Sequence, residues 1–239
     1  MSLKKKVTIS WSGGKDSAFA LYKILASGEF DVVNLHTLID QDSKRVGLHG
    51  VREMLIEKQA ERIGIPLEKI YLPASTDHEV YRSTMQKFYR ECADDGIEGV
   101  VFGDIFLEDL RDFRLSLIEP NKFTASFPLW KVDSKVLLND FIAIGFKTTL
   151  CAADAALFSP HQLSLVDHKF LSQLPPGVDA CGENGEFHTF VFDGPLFKEP
   201  IPITKGEIVK KTYSFQKKES DGEIRKLESS FWFQDYFLL

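Results

Sequence analysis

The passage VTISWSGGKDSAFALYKIL, from Val7 to Leu25, constrains this chain more than any other. Val7–Trp11 is short, β-rich and mostly apolar, which reads as a buried strand. A Ser-Gly-Gly turn follows. Ala18, Leu21, Tyr22 and Leu25 then recur at i, i+3, i+4 and i+7, the stripe of an amphipathic helix that stops at Gly28. The alternation continues. Asp31–Leu38 and Glu68–Leu72 read as strands, and Val51–Ile63 as a helix ended by Gly64 and Pro66. Asp77 reads as the cap of a helix carrying Val80, Met85, Phe88, Tyr89 and Cys92, and Gly99–Ile105 as a fourth strand. Strands alternating with helices predict an α/β fold, a doubly wound parallel sheet with helices on both faces. Ligands of such sheets bind beyond the carboxyl ends of the strands, where SGGKDS, LHT and GDI all fall.

The pattern then changes. FPLWKVD (127–133) reads as a strand, Ser134–Ile144 as a helix, FKTTLCAAD (146–154) as a strand and Asp167–Leu174 as a short helix. FHTFVFDGP, Lys210–Phe215 and Ser230–Phe237 read as strands of a partly antiparallel sheet. A boundary near 126–135 divides the chain into 1–130 and a smaller α+β domain, 131–239. The net charge of −6 argues against a constitutive nucleic-acid binder. Three cysteines without C-x-x-C spacing argue against a disulfide framework or zinc site, and there is no run long enough to span a membrane. A cytoplasmic protein, with a homo-oligomer left open, is the expectation.

SGGKDS does not fit G-x-x-x-x-G-K-[ST]: Ile9 stands where that pattern needs its first glycine, and Asp16 follows Lys15. It still has the means to hold phosphate. Free N–H groups at a helix start and the helix dipole favour anions. Gly13 and Gly14 allow close backbone approach, Lys15 adds charge, and Ser12 and Ser17 add hydroxyls. Asp16 is expected to face the backbone donors of the turn.

The loop resembles that of the PP-loop (N-type) ATP pyrophosphatases. Taken with GVVFGD (99–104), Arg111, Arg114, PLW (128–130) and GVDACGENGEFHTFVFDGP (177–195), it is similar to the diphthine–ammonia ligase family over residues 7–195. The resemblance implies an adenine nucleotide α-hydrolase-like fold with 1–130 binding ATP and 131–239 the acceptor. It also implies cleavage of ATP to AMP and pyrophosphate, adenylation of a carboxylate and its amidation by ammonia. In the family that carboxylate is diphthine on elongation factor 2. Two features depart from the pattern. LSLIEPNKF (115–123) lacks a glutamate common after the arginine, and GLHGVREMLIEKQA resembles bacterial members, whereas diphthamide is archaeal and eukaryotic.

Ser12, Gly13, Gly14, Lys15, Asp16 and Ser17 form the expected phosphate set, with Lys15 also catalytic. His36 and Thr37 are expected to edge the adenine through backbone groups. Gly103 would let the nucleotide approach, and Asp104 would ligate Mg²⁺. Glu183 and Glu186 suit either Mg²⁺ or the ammonium nucleophile and its proton. His188 is a candidate base. Arg111, Arg114 and Thr189 are candidates for binding the acceptor, a carboxylate carried by a small molecule or by a protein. Two alternatives stand beside the ligase: an RNA-thiolating enzyme using Cys151 and Cys181, and a nucleotide-binding module without turnover.

Overall fold

The computed structural model describes residues 3–47, 49–73, 77–118, 123–218 and 224–239, and the side chains of all of these except 214–218 and 224–227. Part of LSLIEPNKF, residues 119–122, lies outside the described residues.

Strand β1 (Lys5–Ser10) runs through the Ser-Gly-Gly turn into α1 (Lys15–Ser27), which Gly28 ends in the left-handed conformation. Next come β2 (Phe30–Asp40), a small antiparallel hairpin of β3 (Arg45–Val46) and β4 (Val51–Arg52), and α2 (Glu53–Ile63). After them stand β5 (Leu67–Leu72), α3 (His78–Asp94), β6 (Gly99–Val101), α4 (Glu108–Leu115) and β7 (Thr124–Ser126). Strands β7, β6, β1, β2 and β5 pair in parallel in that order. β3 joins the end of β2, past the last residue that β1 covers.

Alternation along these strands builds two cores. Val7, Ile9, Leu35 and Val101 pack with α1 and α2, while Val100 and Phe102 pack with Met85, Tyr89 and Cys92 of α3. The sheet is therefore doubly wound. Asp77 caps α3, accepting from the N–H groups of Glu79 and Val80.

The second sheet has the order β10-β11-β8-β9, every pair antiparallel. Its strands are β8 (Lys147–Asp154), β9 (Phe187–Asp193), β10 (Ile203–Lys218) and β11 (Ile224–Leu238). The helices α5 (Ser134–Ala143) and α6 (His168–Ser172) accompany it. Leu150, Phe187, Phe190, Val191 and Tyr236 belong to the same core as α1, so apolar packing is continuous between the sheets.

Four expectations need correction. FPLWKVD is a turn; Pro128 has no N–H for a ladder, and the pairing falls earlier, on Thr124–Ser126. The fourth strand stops at Val101, and the chain then turns toward α1. Val51 and Arg52 open the predicted helix as a strand, because the hairpin with β3 takes them first. The last two strands are far longer than their apolar alternation suggested, since their outer parts pair only with each other.

Candidate active site

A cavity of about 490 Å³ opens at the carboxyl ends of β1, β2 and β6. Its floor is the Ser12–Ser17 loop. Gly13 has φ near +80° and begins the turn; a Cβ there would lie 2.5 Å from Ile56 Cδ1. Gln59, fully buried on α2, fastens this turn. Its amide donates to the carbonyls of Gly13 (2.9 Å) and Val191 (2.6 Å), and its oxygen accepts from Trp11 Nε1 (2.9 Å). Ser17 Oγ donates to the Gly14 carbonyl at 3.0 Å, and Ser12 Oγ accepts from the Gly14 N–H at 3.3 Å.

Lys15 is only 3 % exposed. Its ammonium is paired with Asp16 at 2.8 Å and also donates to the Cys181 carbonyl. Burial alone would discharge it, but Asp16, with help from Cys181 and Glu183, keeps its pKa raised. Asp16 thus faces this ammonium rather than the backbone donors expected for it. Thr189 lines the cavity with its hydroxyl already engaged. Its Oγ1 accepts from the Lys15 backbone N–H at 2.9 Å and so serves α1 as a cap supplied from the second sheet.

The β6 end closes the opposite side. A Cβ on Gly103 would meet the Asp16 backbone at 2.8 Å, so this glycine makes room for the first turn of α1 while also lining the cavity. Asp104 is buried and lies 3.5 Å from Arg114 Nε. Arg114 stacks over Phe102, its charge centre 4.9 Å from the ring centroid, and reaches the Tyr81 hydroxyl at 3.4 Å. Arg111 does not reach the cavity wall. Its guanidinium lies over the rings of Phe127 and Trp130, at 5.4 and 5.1 Å.

The GENGEFHT turn supplies the remaining wall. Glu183 Oε1 accepts from the Ile105 N–H at 2.7 Å, tying the turn to the β6 end. Burial, together with Asp16 and Asp104, pushes this carboxyl up to about 7. Glu186 points elsewhere. Its Oε1 accepts from the Asp179 N–H and the Asn184 amide, both at 3.0 Å, so it shapes the turn from behind and does not line the cavity.

His36 and Thr37 do line the cavity. The His36 carbonyl is already taken by the Trp11 N–H at 2.8 Å, and its ring lies between Thr8 Oγ1 and the Tyr89 hydroxyl. Burial, then Arg114, pushes its pKa down to about 3, so it is a neutral part of the core beneath α3. Among the described residues Thr37 Oγ1 is buried without a hydrogen-bond partner, an orphan that suits a ligand's polar atom. His188 stands on the wall beside His49, which no sequence signal marked; only the fold brings residue 49 to the loop.

The donor set fits a nucleotide with Mg²⁺. Asp16, Asp104 and Glu183 act on one another as like charges, which a cation relieves. Among the described residues no three acidic, His or Cys groups form a complete metal site.

Comparison with known proteins gives a consistent result. Residues 5–117 match the diphthamide synthase N-terminal domain and residues 133–224 its C-terminal domain. A diphthine–ammonia ligase of Danio rerio is 26% identical over 232 residues, covering 83% of this chain and 86% of its own. The Mus musculus enzyme of that name is 27% identical over 228 residues, covering 83% and 82%. The one from Schizosaccharomyces pombe is 28% identical over 218 residues, covering 83% of this chain and 36% of its own. Among solved structures, a U34-tRNA thiolase of Methanococcus maripaludis with its [4Fe-4S] cluster aligns with a TM-score of 0.37 and 18% identity, over 60% of this chain and 58% of its own.

Proposed function

We propose, since the chain belongs to the diphthamide synthase family, that it is an ATP-dependent ligase making an amide from a carboxylate and ammonia. The observation that carries this is the joint construction of the cavity. The phosphate loop is capped by Thr189 and its lysine is held by the Cys181 carbonyl, so the loop and the GENGEFHT segment form one site. The gap between the two family matches also supports assigning 1–130 to ATP and 131–239 to the acceptor.

In the first step an acceptor carboxylate oxygen attacks the α-phosphorus. The bond to the β-phosphate oxygen breaks, and pyrophosphate leaves with its electron pair. Lys15 and the N–H groups of the first turn of α1 beyond Lys15, whose own N–H is taken by Thr189, would face the developing charge. Arg114 orients the acceptor or a phosphate. Asp104 would hold Mg²⁺, which would neutralise phosphate charge in the transition state. In the second step the ammonia lone pair attacks the acyl carbon, the bond to AMP breaks, and the new amide nitrogen sheds a proton. Glu183, with a pKa of about 7, is poised to take that proton near neutrality. Thr37 Oγ1 is the natural partner for the adenosine.

Diphthine, named in the relatives' activity, is the first acceptor to test. The three cysteines are free and buried, which fits a reducing compartment. Burial pushes the Cys181 thiol up to about 12 and raises Cys151 as well, which disfavours sulfur transfer. The experiment is incubation with α-labelled ATP, ammonium and candidate carboxylates. AMP, pyrophosphate and amide in equal amounts are expected. ADP and phosphate would overturn the cleavage site, and tight ATP binding with no turnover on any acceptor would leave only a nucleotide-binding module.

A further inference from the structure

One part of the cavity wall has no role in the steps above. His49, on the turn after β3, and His188, on β9, stack with ring centroids 4.6 Å apart and planes 36° apart. The pair stands against the phosphate loop: a Cβ built on Gly14 would lie 2.9 Å from His49 Cε1. Gly14 is the residue from which α1 starts. His49 therefore stands against the entry turn of α1, with His188 beside it, next to the helix start where pyrophosphate would sit.

Their hydrogen bonding limits what they offer an anion. His49 Nδ1 lies 3.3 Å from the Thr189 carbonyl oxygen, an acceptor, so Nδ1 carries the proton. In the neutral ring Nε2 then presents a lone pair, which repels a phosphate oxygen. Protonation makes both nitrogens donors. Without an anion the ring stays neutral. Burial, against the Thr189 carbonyl and with Lys15, holds His49 down at about 4; burial, His49 and Lys15 hold His188 well below its usual value. Among the described residues the charged group acting on both rings is Lys15 of α1, and His49 also opposes protonation of His188. A polyanion beside Gly14 reverses that balance.

We propose that His49 and His188 form a proton-coupled phosphate clamp: pyrophosphate at the start of α1 is gripped as His49 takes one proton from solvent, and is let go as that proton returns. His188 is the wall that keeps the His49 ring in place and limits uptake to one proton. The clamp rests on the reading that ATP is cut between its α and β phosphates.

The test is calorimetric titration of the full chain with inorganic pyrophosphate in buffers of different ionisation enthalpy. Pyrophosphate exchanges protons itself near neutral pH, so the quantity read is the difference between wild type and His49→Gln. Wild type is expected to take up about one proton more per site and to bind roughly tenfold or more tightly. His188→Gln should keep the extra uptake while binding more weakly. Equal proton counts in wild type and His49→Gln would overturn the clamp and leave the ligase standing. Failure of folded wild type to bind pyrophosphate at all would remove both. Should His49→Gln fail to fold, the ring-proton resonances of the wild-type histidines, six in all, give a second measurement. One must move to its imidazolium position on adding pyrophosphate, and no movement would overturn the clamp.

Discussion

Glu183 shows how far a single side chain is set by its surroundings. Its folded pKa of about 7 lies above the ordinary 4.5. Between those values the unfolded chain has released a proton that the folded chain still holds, so this residue lowers stability as pH rises from about 4.5 to 7. Glu183→Gln keeps an oxygen for the Ile105 N–H and cannot ionise. We expect its thermal midpoint to exceed that of wild type at pH 8 and the two to converge near pH 4.5, while amide formation falls by about a hundredfold or more. Lys15 calls for a different experiment. Replacing it alone leaves the Asp16 carboxylate, about a third exposed, without its cation, which costs about 1–3 kcal/mol, so Lys15→Ala should lose stability and turnover together. The paired change Lys15→Met with Asp16→Asn removes both charges. It should keep most of the stability in urea denaturation while ATP cleavage drops by about a hundredfold or more. The chemistry of Lys15 was legible in SGGKDS, but its ion pair with the next residue was not, because neighbours in sequence need not face one another.

At the scale of elements, α1 depends on parts far from it in sequence. Thr189 of β9 caps it, and Gln59 of α2 ties its entry turn to Val191. Thr189→Val should cost about 1 kcal/mol and weaken ATP binding, whereas Thr189→Ser should keep both; chemical denaturation and nucleotide titration read the two effects. Gln59→Leu leaves the Trp11 Nε1–H unpaired in the core and takes one partner from each of the Gly13 and Val191 carbonyls, the former still accepting from the Val191 N–H, and should cost roughly 2 kcal/mol. Gly103 belongs here too: the glycine is needed so that the β6 end can lie against the first turn of α1. These roles were hidden because a threonine in an alternating strand and a glutamine in a helix carry no local mark of what they touch. The elements themselves were readable. β1, α1, β2, β5, α3 and α5 lie close to where apolar period and cap residues placed them, since both are local properties.

For the whole molecule, the two sheets are joined by core packing and, at the rim, by a charged contact centred on Asp235. Asp235 of β11 receives Arg45 Nη1 at 2.9 Å and Arg52 Nη2 at 2.6 Å, linking the β3–β4 hairpin to the long hairpin. Although burial opposes it, the two arginines pull the Asp235 carboxyl down to about 2. The depressed pKa means that this stabilisation is complete above the ordinary 3.8 and is lost as pH falls toward 2. Asp235→Asn should therefore lower the melting temperature at pH 7, by the equivalent of roughly 2 kcal/mol, and by much less at pH 2.5. The same hairpin carries His49, so its nucleotide affinity should weaken as well. By itself the sequence determined the doubly wound α/β class, the phosphate loop after β1 and the family to which GENGEFHT points. Each depends on period, turn chemistry or residues in one short stretch. Only the tertiary structure decided that Thr189 caps the loop helix, that Glu186 and Arg111 stand off the cavity, and that His49 meets His188 across it. Such pairings join residues up to 174 positions apart, and the packing that brings them together is a property of the closed core, not of any segment.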